Sequence, residues 1–289
     1  MWFWYALSAA IISGISVTFN KKVLNRGVHS SVVSFFLFLI LTLGSLVFLI
    51  KDHSGSIDNI FFIACGVSAL VFAVAKTMQL NIFSKNNLSE IYPLGSLSLL
   101  ILYIIGLITL NESIKVTALI GLFIMISGVY LINYKSANKD LLHPIKHLFR
   151  HNSSILYIIA IILSAVSAIS EKVAINHTIG SNIFYLAFYE NLFLMILTGS
   201  YVIKTNKLWV SEIKKNLKNL IIAGSLYALL YYLVLSGFKD GPIALVSAIK
   251  KLEVLFVLGI SYFVFKERPS KYVYIGVVLM LIAVLLIKL

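Results

Sequence analysis

Apolar residues run along this chain in long uninterrupted blocks, separated by short polar stretches. A hydrocarbon layer about 30 Å thick is crossed by about 20 apolar helical residues. Runs of that length fall at 2–20, 30–50, 59–82, 88–110, 116–134, 153–176, 181–203, 218–237, 242–265 and 271–288. Stretches such as LLILYIIGLITL do not alternate polar with apolar, as the roughly ten-residue strands of a membrane barrel would. The pattern predicts an all-α membrane protein with ten transmembrane helices. The opening stretch MWFWYALSAAIISGIS has no basic residue ahead of it and merges into a full span. It reads as a retained first helix rather than a cleaved signal.

Most connections are short. The longest, YKSANKDLLHPIKHLFRHN, is polar, contains a proline and falls at the midpoint. It divides the chain into a first five-helix repeat over 1–134, a linker over 135–152 and a second repeat over 153–289. The halves can be laid on each other. GISVTFNKKVLN (14–25) aligns with AVSAISEKVAIN (165–176), matching Ser16 to Ser167, Lys21 to Lys172 and Asn25 to Asn176. LNESIKVTALIG (110–121) aligns with FKERPSKYVYIG (265–276), matching Glu112 to Glu267 and Gly121 to Gly276. Five is odd, so the second half must cross the membrane upside down relative to the first, an inverted repeat of the kind found in transporters.

Composition agrees with the pattern: 60% of residues are hydrophobic and 12% charged, against about 25% charged in soluble domains. The net charge of +13 would suggest nucleic acid in a soluble protein. Here the basic residues sit mostly in short gaps between apolar runs, where topology and anionic headgroups account for them, and no basic, aromatic-interleaved surface stretch exists. A single cysteine, Cys65, excludes an intrachain disulfide or a cysteine-based metal site. No metal-spaced His/Cys/Asp/Glu cluster and no serine nucleophile elbow occur, so an enzymatic role has little support. No phosphate-binding loop is present either; no cofactor and no ATP are expected.

The chain resembles the drug/metabolite transporter superfamily, in its ten-helix, EamA-type branch. The likeness rests on small residues followed by lysine at the ends of spans 1 (Ser13, Gly14, Lys21) and 6 (Ser164, Ala165, Lys172), on EIYPLGSLSLL with Glu112 after it, and on GPIALVSAIKKLEVLFVLGISYFVFKERPS. Members often carry an arginine where Lys250 stands, and Lys251 and Glu253 are additions to the pattern. The resemblance implies a solute carrier working by alternating access, with a central cavity lined by spans 1, 3, 4, 6, 8 and 9. It also implies termini in the cytoplasm. Most linker lysines and arginines lie in linkers 1–2, 3–4, 5–6, 7–8 and 9–10, and the positive-inside rule puts the termini on the opposite side.

Ionisable groups within the spans are the candidate chemistry, because a charge at mid-bilayer costs about 2.5–3.5 kcal/mol on insertion scales and faces a cavity or a partner. In span 9, Lys250 and Glu253 are three residues apart on one face. Lys251, about 100° round a regular helix, points elsewhere. Lys250 is expected to bind an anionic group and Glu253 to tune it or accept a proton; the alternative is a neutralised structural pair. Lys76 in span 3 either lines a cavity or reaches the headgroups, and Gln79 shares its face. Tyr92, before Pro93, and Tyr227 and Tyr231, on one face of span 8, are candidate ligand contacts. Lys21, Glu171 and Lys172 near the ends of spans 1 and 6 either gate the cavity or close the helices. Glu190 in span 7 is either a proton-titrating carboxylate or a structural acid.

Together these point to a multi-pass membrane transporter, in the cell or inner membrane. It moves a small polar solute bearing a carboxylate or phosphate, such as an amino acid, as a monomer or homodimer amid membrane lipid. Flipping of a lipid-linked head group and multidrug efflux are the alternatives within transport. A non-transporting membrane scaffold or receptor is the alternative outside it.

Overall fold

A computed structural model describes residues 1–51, 57–85, 95–112, 114–133, 152–265 and 271–289. Among the described residues the chain is helical, and the one extended pairing is an isolated bridge between Ile57 and Thr178. The helices are α1 (Trp2–Leu24), α2 (Ser30–Lys51), α3 (Asn59–Lys85), α4 (Leu97–Leu110), α5 (Val116–Asn133) and α6 (Asn152–Asn176). They continue with α7 (Ile183–Thr205), α8 (Trp209–Asp240), α9 (Ile243–Lys250), α10 (Glu253–Phe265) and α11 (Lys271–Lys288). Six of these are long and apolar enough to cross a membrane, namely α1, α2, α3, α6, α7 and α8; α4, α5 and α11 are shorter and apolar.

Residues 88–94 of the fourth expected span lie outside the described residues, and two of the other expected spans differ. The eighth begins at Trp209 rather than 218, because the polar stretch SEIKKNLKN carries no helix breaker and extends the helix outward. The ninth, expected to be continuous over 242–265, is two helices with a turn at Lys251 and Leu252.

Helical backbone suits lipid because every N–H and C=O is satisfied within the segment, and the hydroxyls follow the same rule. Thr18, Thr42, Ser45, Thr109, Ser127, Ser164, Thr198 and Ser200 each donate to the carbonyl four residues earlier. At the ends, Asn182 caps α7 by accepting from the Phe184 N–H. Asp58 caps α3, its Oδ1 accepting from the Phe61 N–H at 2.9 Å.

That cap carries a pH prediction. The Phe61 N–H, and after it a 2.7 Å contact with His177 Nδ1, hold the Asp58 carboxyl below its ordinary range. A depressed carboxyl stabilises the fold above its unfolded pKa of about 3.9 and loses that contribution as pH falls through the folded value. Melting temperature should therefore fall below about pH 4, and Asp58→Asn, which keeps a capping oxygen but no charge, should flatten that part of the profile. Thermal unfolding of the two proteins across acid pH measures the difference.

The chain forms two compact units, Met1–Ala69 with Ser170–Asp240, and Leu70–Ile169 with Gly241–Leu289. Each draws on both halves of the sequence, and α3 and α6 contribute to both. In the first unit α2 packs against α7 and α8, and α1 against α8. Gly224 of α8 leaves room for Ile40, whose Cβ would lie 2.7 Å from a methyl added there. Val23, Val32, Val202 and Leu220 fill the core beside it. Ser16 and Ser167, matched in the sequence, are both buried.

In the second unit α5 and α11 make the most extensive contact. Gly128 faces Gly276 backbone to backbone, and Gly121 faces Ala283 and Ile287. Small residues on transmembrane helices permit this close approach. The contacts also exchange under the sequence repeat: Gly121 and Gly276 are 155 positions apart, as are Gly128 and Ala283. Carrying the Gly121–Ala283 contact forward and back by that offset produces Gly276–Gly128.

Candidate functional site

The turn that splits the ninth span is built from i→i−3 hydrogen bonds. Lys251 N–H is shared between Ala248 O and Ser247 O, after which Leu252 N–H donates to Ile249 O, Val254 N–H to Lys251 O and Leu255 N–H to Leu252 O. This is the tighter 3₁₀ pattern, in which residues i and i+3 eclipse. Lys250 Nζ and Glu253 Oε2 accordingly stand 3.6 Å apart. The turn also accounts for a departure from the sequence reading. Lys251, expected to point away from the functional face, lines a cavity, and Lys250 is held in the ion pair.

The cavity has a volume of about 310 Å³ and lies wholly within the second unit. Lys76 and Gln79 of α3 line it, with Gly95 and Ser98 at the start of α4, Tyr157 and Ser164 of α6, and Lys251 and Glu253 at the break. Val129, Ile161 and Val254 supply apolar wall. Gln79 Nε2 donates to Ser164 Oγ at 3.1 Å, joining α3 to α6, and Ser98 Oγ donates to Gly95 O at 2.7 Å. Lys76 keeps exposed surface because it faces this space.

Glu253 has Lys250 as its counter-ion, whereas among the described residues no carboxylate lies within ion-pair distance of Lys76 or Lys251. The wall therefore carries two lysines, Lys76 and Lys251, that make no ion pair among the described residues, and one carboxylate, Glu253, that is paired with Lys250. Ser98, Ser164, Tyr157 and Lys251 are lining residues that the sequence reading missed. The hydroxyls could have been found from the small-polar residues in the repeated motifs, such as Ser164 at the start of the span 6 pattern. Lys251 could not, because its direction depends on the helix break.

Glu112, beyond the end of α4, accepts from the Ile243 N–H at 3.0 Å. It satisfies a donor at the start of α9, where Pro242 stands at the cap and has no N–H to offer.

The other sequence candidates lie elsewhere. Tyr92 falls outside the described residues. Lys21 is in the last turn of α1. Lys172 Nζ donates to the Phe238 carbonyl in the first unit, so it joins α6 to the end of α8. Tyr227 and Tyr231 stack with centroids 6.1 Å apart, and the Tyr231 hydroxyl donates to Glu190 Oε2. Glu190 also accepts from Ser68 Oγ at 2.7 Å. Glu171 acts electrostatically on Tyr227, Tyr231 and Cys65. This group, within the first unit, gathers tyrosines and carboxylates.

A search of curated proteins finds no match to the sequence. A solved structure described only as a crystal structure of a protein aligns over 100% of this chain and 98% of its own, with a TM-score of 0.68 and 11% identity. At that identity the likeness shows a shared fold alone. The model of the EamA-like transporter family matches residues 1–134 and again 152–289, nearly the whole chain in two segments. Together with six helices of membrane-crossing length and composition, this makes the chain a multi-pass integral membrane protein belonging to the EamA-like transporter family.

Proposed function

We propose that this transporter moves a small organic anion, bearing a carboxylate or phosphate, by alternating access, and that Lys76 and Lys251 hold the anion. The observation that carries the reading is the pair of lysines, Lys76 and Lys251, on the wall of one 310 Å³ cavity whose one lining carboxylate, Glu253, is paired with Lys250. That volume is at the low end of small-molecule pockets, about 300–1,000 Å³, and favours a solute of amino-acid size over a bulky drug. A lysine in a membrane span is costly until an opposite charge arrives, so the arriving solute contributes what the protein lacks. Lys250 holds Glu253 in an ion pair and so limits its competition for Lys251, and Gln79, Ser98 and Ser164 offer hydrogen bonds to the rest of the solute.

Ten transmembrane helices in two inverted five-helix repeats, over 1–134 and 153–289, are the architecture in which this cavity operates. The two family matches and the exchange of the α5–α11 glycine contacts under the repeat support that arrangement. The i→i−3 turn between α9 and α10 sits beside the cavity. Discontinuous helices of this kind form the sites of inverted-repeat carriers, and a short 3₁₀ stretch is a natural hinge.

The test is a thermal-shift screen of purified protein against amino acids, other carboxylates, phosphate esters and organic cations. A true ligand at 100 times its dissociation constant stabilises the fold by about 2.7 kcal/mol. Stabilisation confined to anions or zwitterions, followed by counterflow of the same compound in liposomes, is the expected result. Stabilisation by cations alone would reverse the proposed charge preference.

A further inference from the structure

We propose that Glu190, cradled by the hydroxyls of Ser68 and Tyr231, is a reversible proton-binding site within the first unit. The carboxylate is 2% exposed and lies near the middle of α7, and the neighbouring Asn191 is fully buried. Two other helices converge on it: Ser68 Oγ of α3 donates to Oε1 at 2.7 Å, and the Tyr231 hydroxyl of α8 donates to Oε2. Among the described residues no lysine, arginine or histidine pairs with it. The titratable groups around it are Cys65 from α3, Glu171 from α6, and Tyr227 and Tyr231 from α8. None of these supplies a positive charge. On α2, the described polar residues Thr42 and Ser45 are non-ionisable and donate to their own helix.

An ionised carboxylate buried in a span without a cation is held only by its hydrogen bonds, and a proton is the smallest charge that neutralises it. The cradle accepts either state. With the carboxylate ionised, both hydroxyls donate to it. When a proton from water binds Oε2, the new O–H donates to the tyrosine oxygen as the phenol hydrogen turns away, and Ser68 still donates to Oε1. One O–H bond forms and no heavy-atom contact breaks.

A metal ion would need lone pairs aimed at it, whereas both hydroxyls direct hydrogens to the carboxylate. Among the described residues, moreover, no three His, Cys, Asp or Glu gather to hold a metal. Among the described residues the buried Asn191 side-chain oxygen has no hydrogen-bond partner, while its amide donates to Ala187 O. It is a second polar atom on the same turn left with acceptor capacity to spare.

The experiment is infrared difference spectroscopy of the full chain in lipid, between acidic and alkaline buffer, with the proton itself as the probe. The expected spectrum has a carboxylic-acid C=O band that appears on acidification, is lost in Glu190→Gln and moves to higher frequency in Tyr231→Phe, where one hydrogen bond to the acid is gone. Absence of a titrating band, its survival in Glu190→Gln, or an unmoved band in Tyr231→Phe overturns the proposal. If Glu190→Gln does not fold, the Tyr231→Phe shift decides alone. No solute is needed, so this result stands or falls separately from the anion-binding reading.

Discussion

Lys251→Met is expected to weaken binding of the anionic solute by about 10- to 100-fold. A hydrogen bond to a charged group contributes about 1.5–3 kcal/mol, and each 1.4 kcal/mol is tenfold in affinity. Methionine preserves the length and apolar stem of the side chain, so the cavity keeps its shape and loses only the charge. Lys250→Met should behave differently. Its ammonium is 3.6 Å from Glu253, and removing it leaves a carboxylate on the cavity wall to compete with the solute for Lys251. Adding Glu253→Gln to Lys250→Met should therefore restore binding, whereas adding it to Lys251→Met should not. Titration of the four variants with a ligand found by thermal shift measures this. Normal affinity in Lys251→Met, or a Lys250→Met defect that Glu253→Gln leaves unchanged, would move the anion site to the other lysine.

The contrast between adjacent lysines also shows where sequence reasoning reached its limit. Length and apolarity alone locate most of the helices, because in lipid the backbone has few other ways to satisfy its polar groups. The i,i+3 pairing of Lys250 with Glu253 was readable for the same reason, since both α and 3₁₀ geometry bring those positions together. The direction of Lys251 was not. It depends on four i→i−3 hydrogen bonds between Ala248 and Leu255, a stretch whose residues AIKKLEVL contain no proline or glycine to announce a break. The tyrosines of α8 illustrate a second limit. Their common face was legible from spacing, but whether that face meets a solute or Glu190 depends on the packing of α7 beside it. Gln79 and Ser164 are 85 positions apart, so their bond had no local signal.

Gly128→Ala should destabilise the protein by about 1–3 kcal/mol, the usual cost of forcing atoms into a well-packed contact. A methyl at this position would lie 2.9 Å from the Gly276 carbonyl oxygen and 3.1 Å from the Met280 nitrogen. The Met280 side chain can move aside, but those backbone atoms cannot unless α11 itself shifts. Gly276→Ala meets the same wall from the other side, 2.7 Å from the Gly128 carbonyl oxygen and 3.0 Å from the Ile132 nitrogen. Both changes push the same two helices apart, so the double variant should cost less than the sum of the singles, because one displacement relieves both clashes. Gly66 supplies the control. It lies in α3 with nothing within 4 Å of an added methyl, and Gly66→Ala should be neutral or stabilising by up to about 1 kcal/mol, from the backbone freedom removed in the unfolded chain. Thermal unfolding of the four proteins in one detergent compares them directly. Equal melting temperatures for Gly128→Ala and Gly66→Ala would mean that α5 and α11 are not in backbone contact. The pairing that relates the two halves of the chain would then lose its structural support.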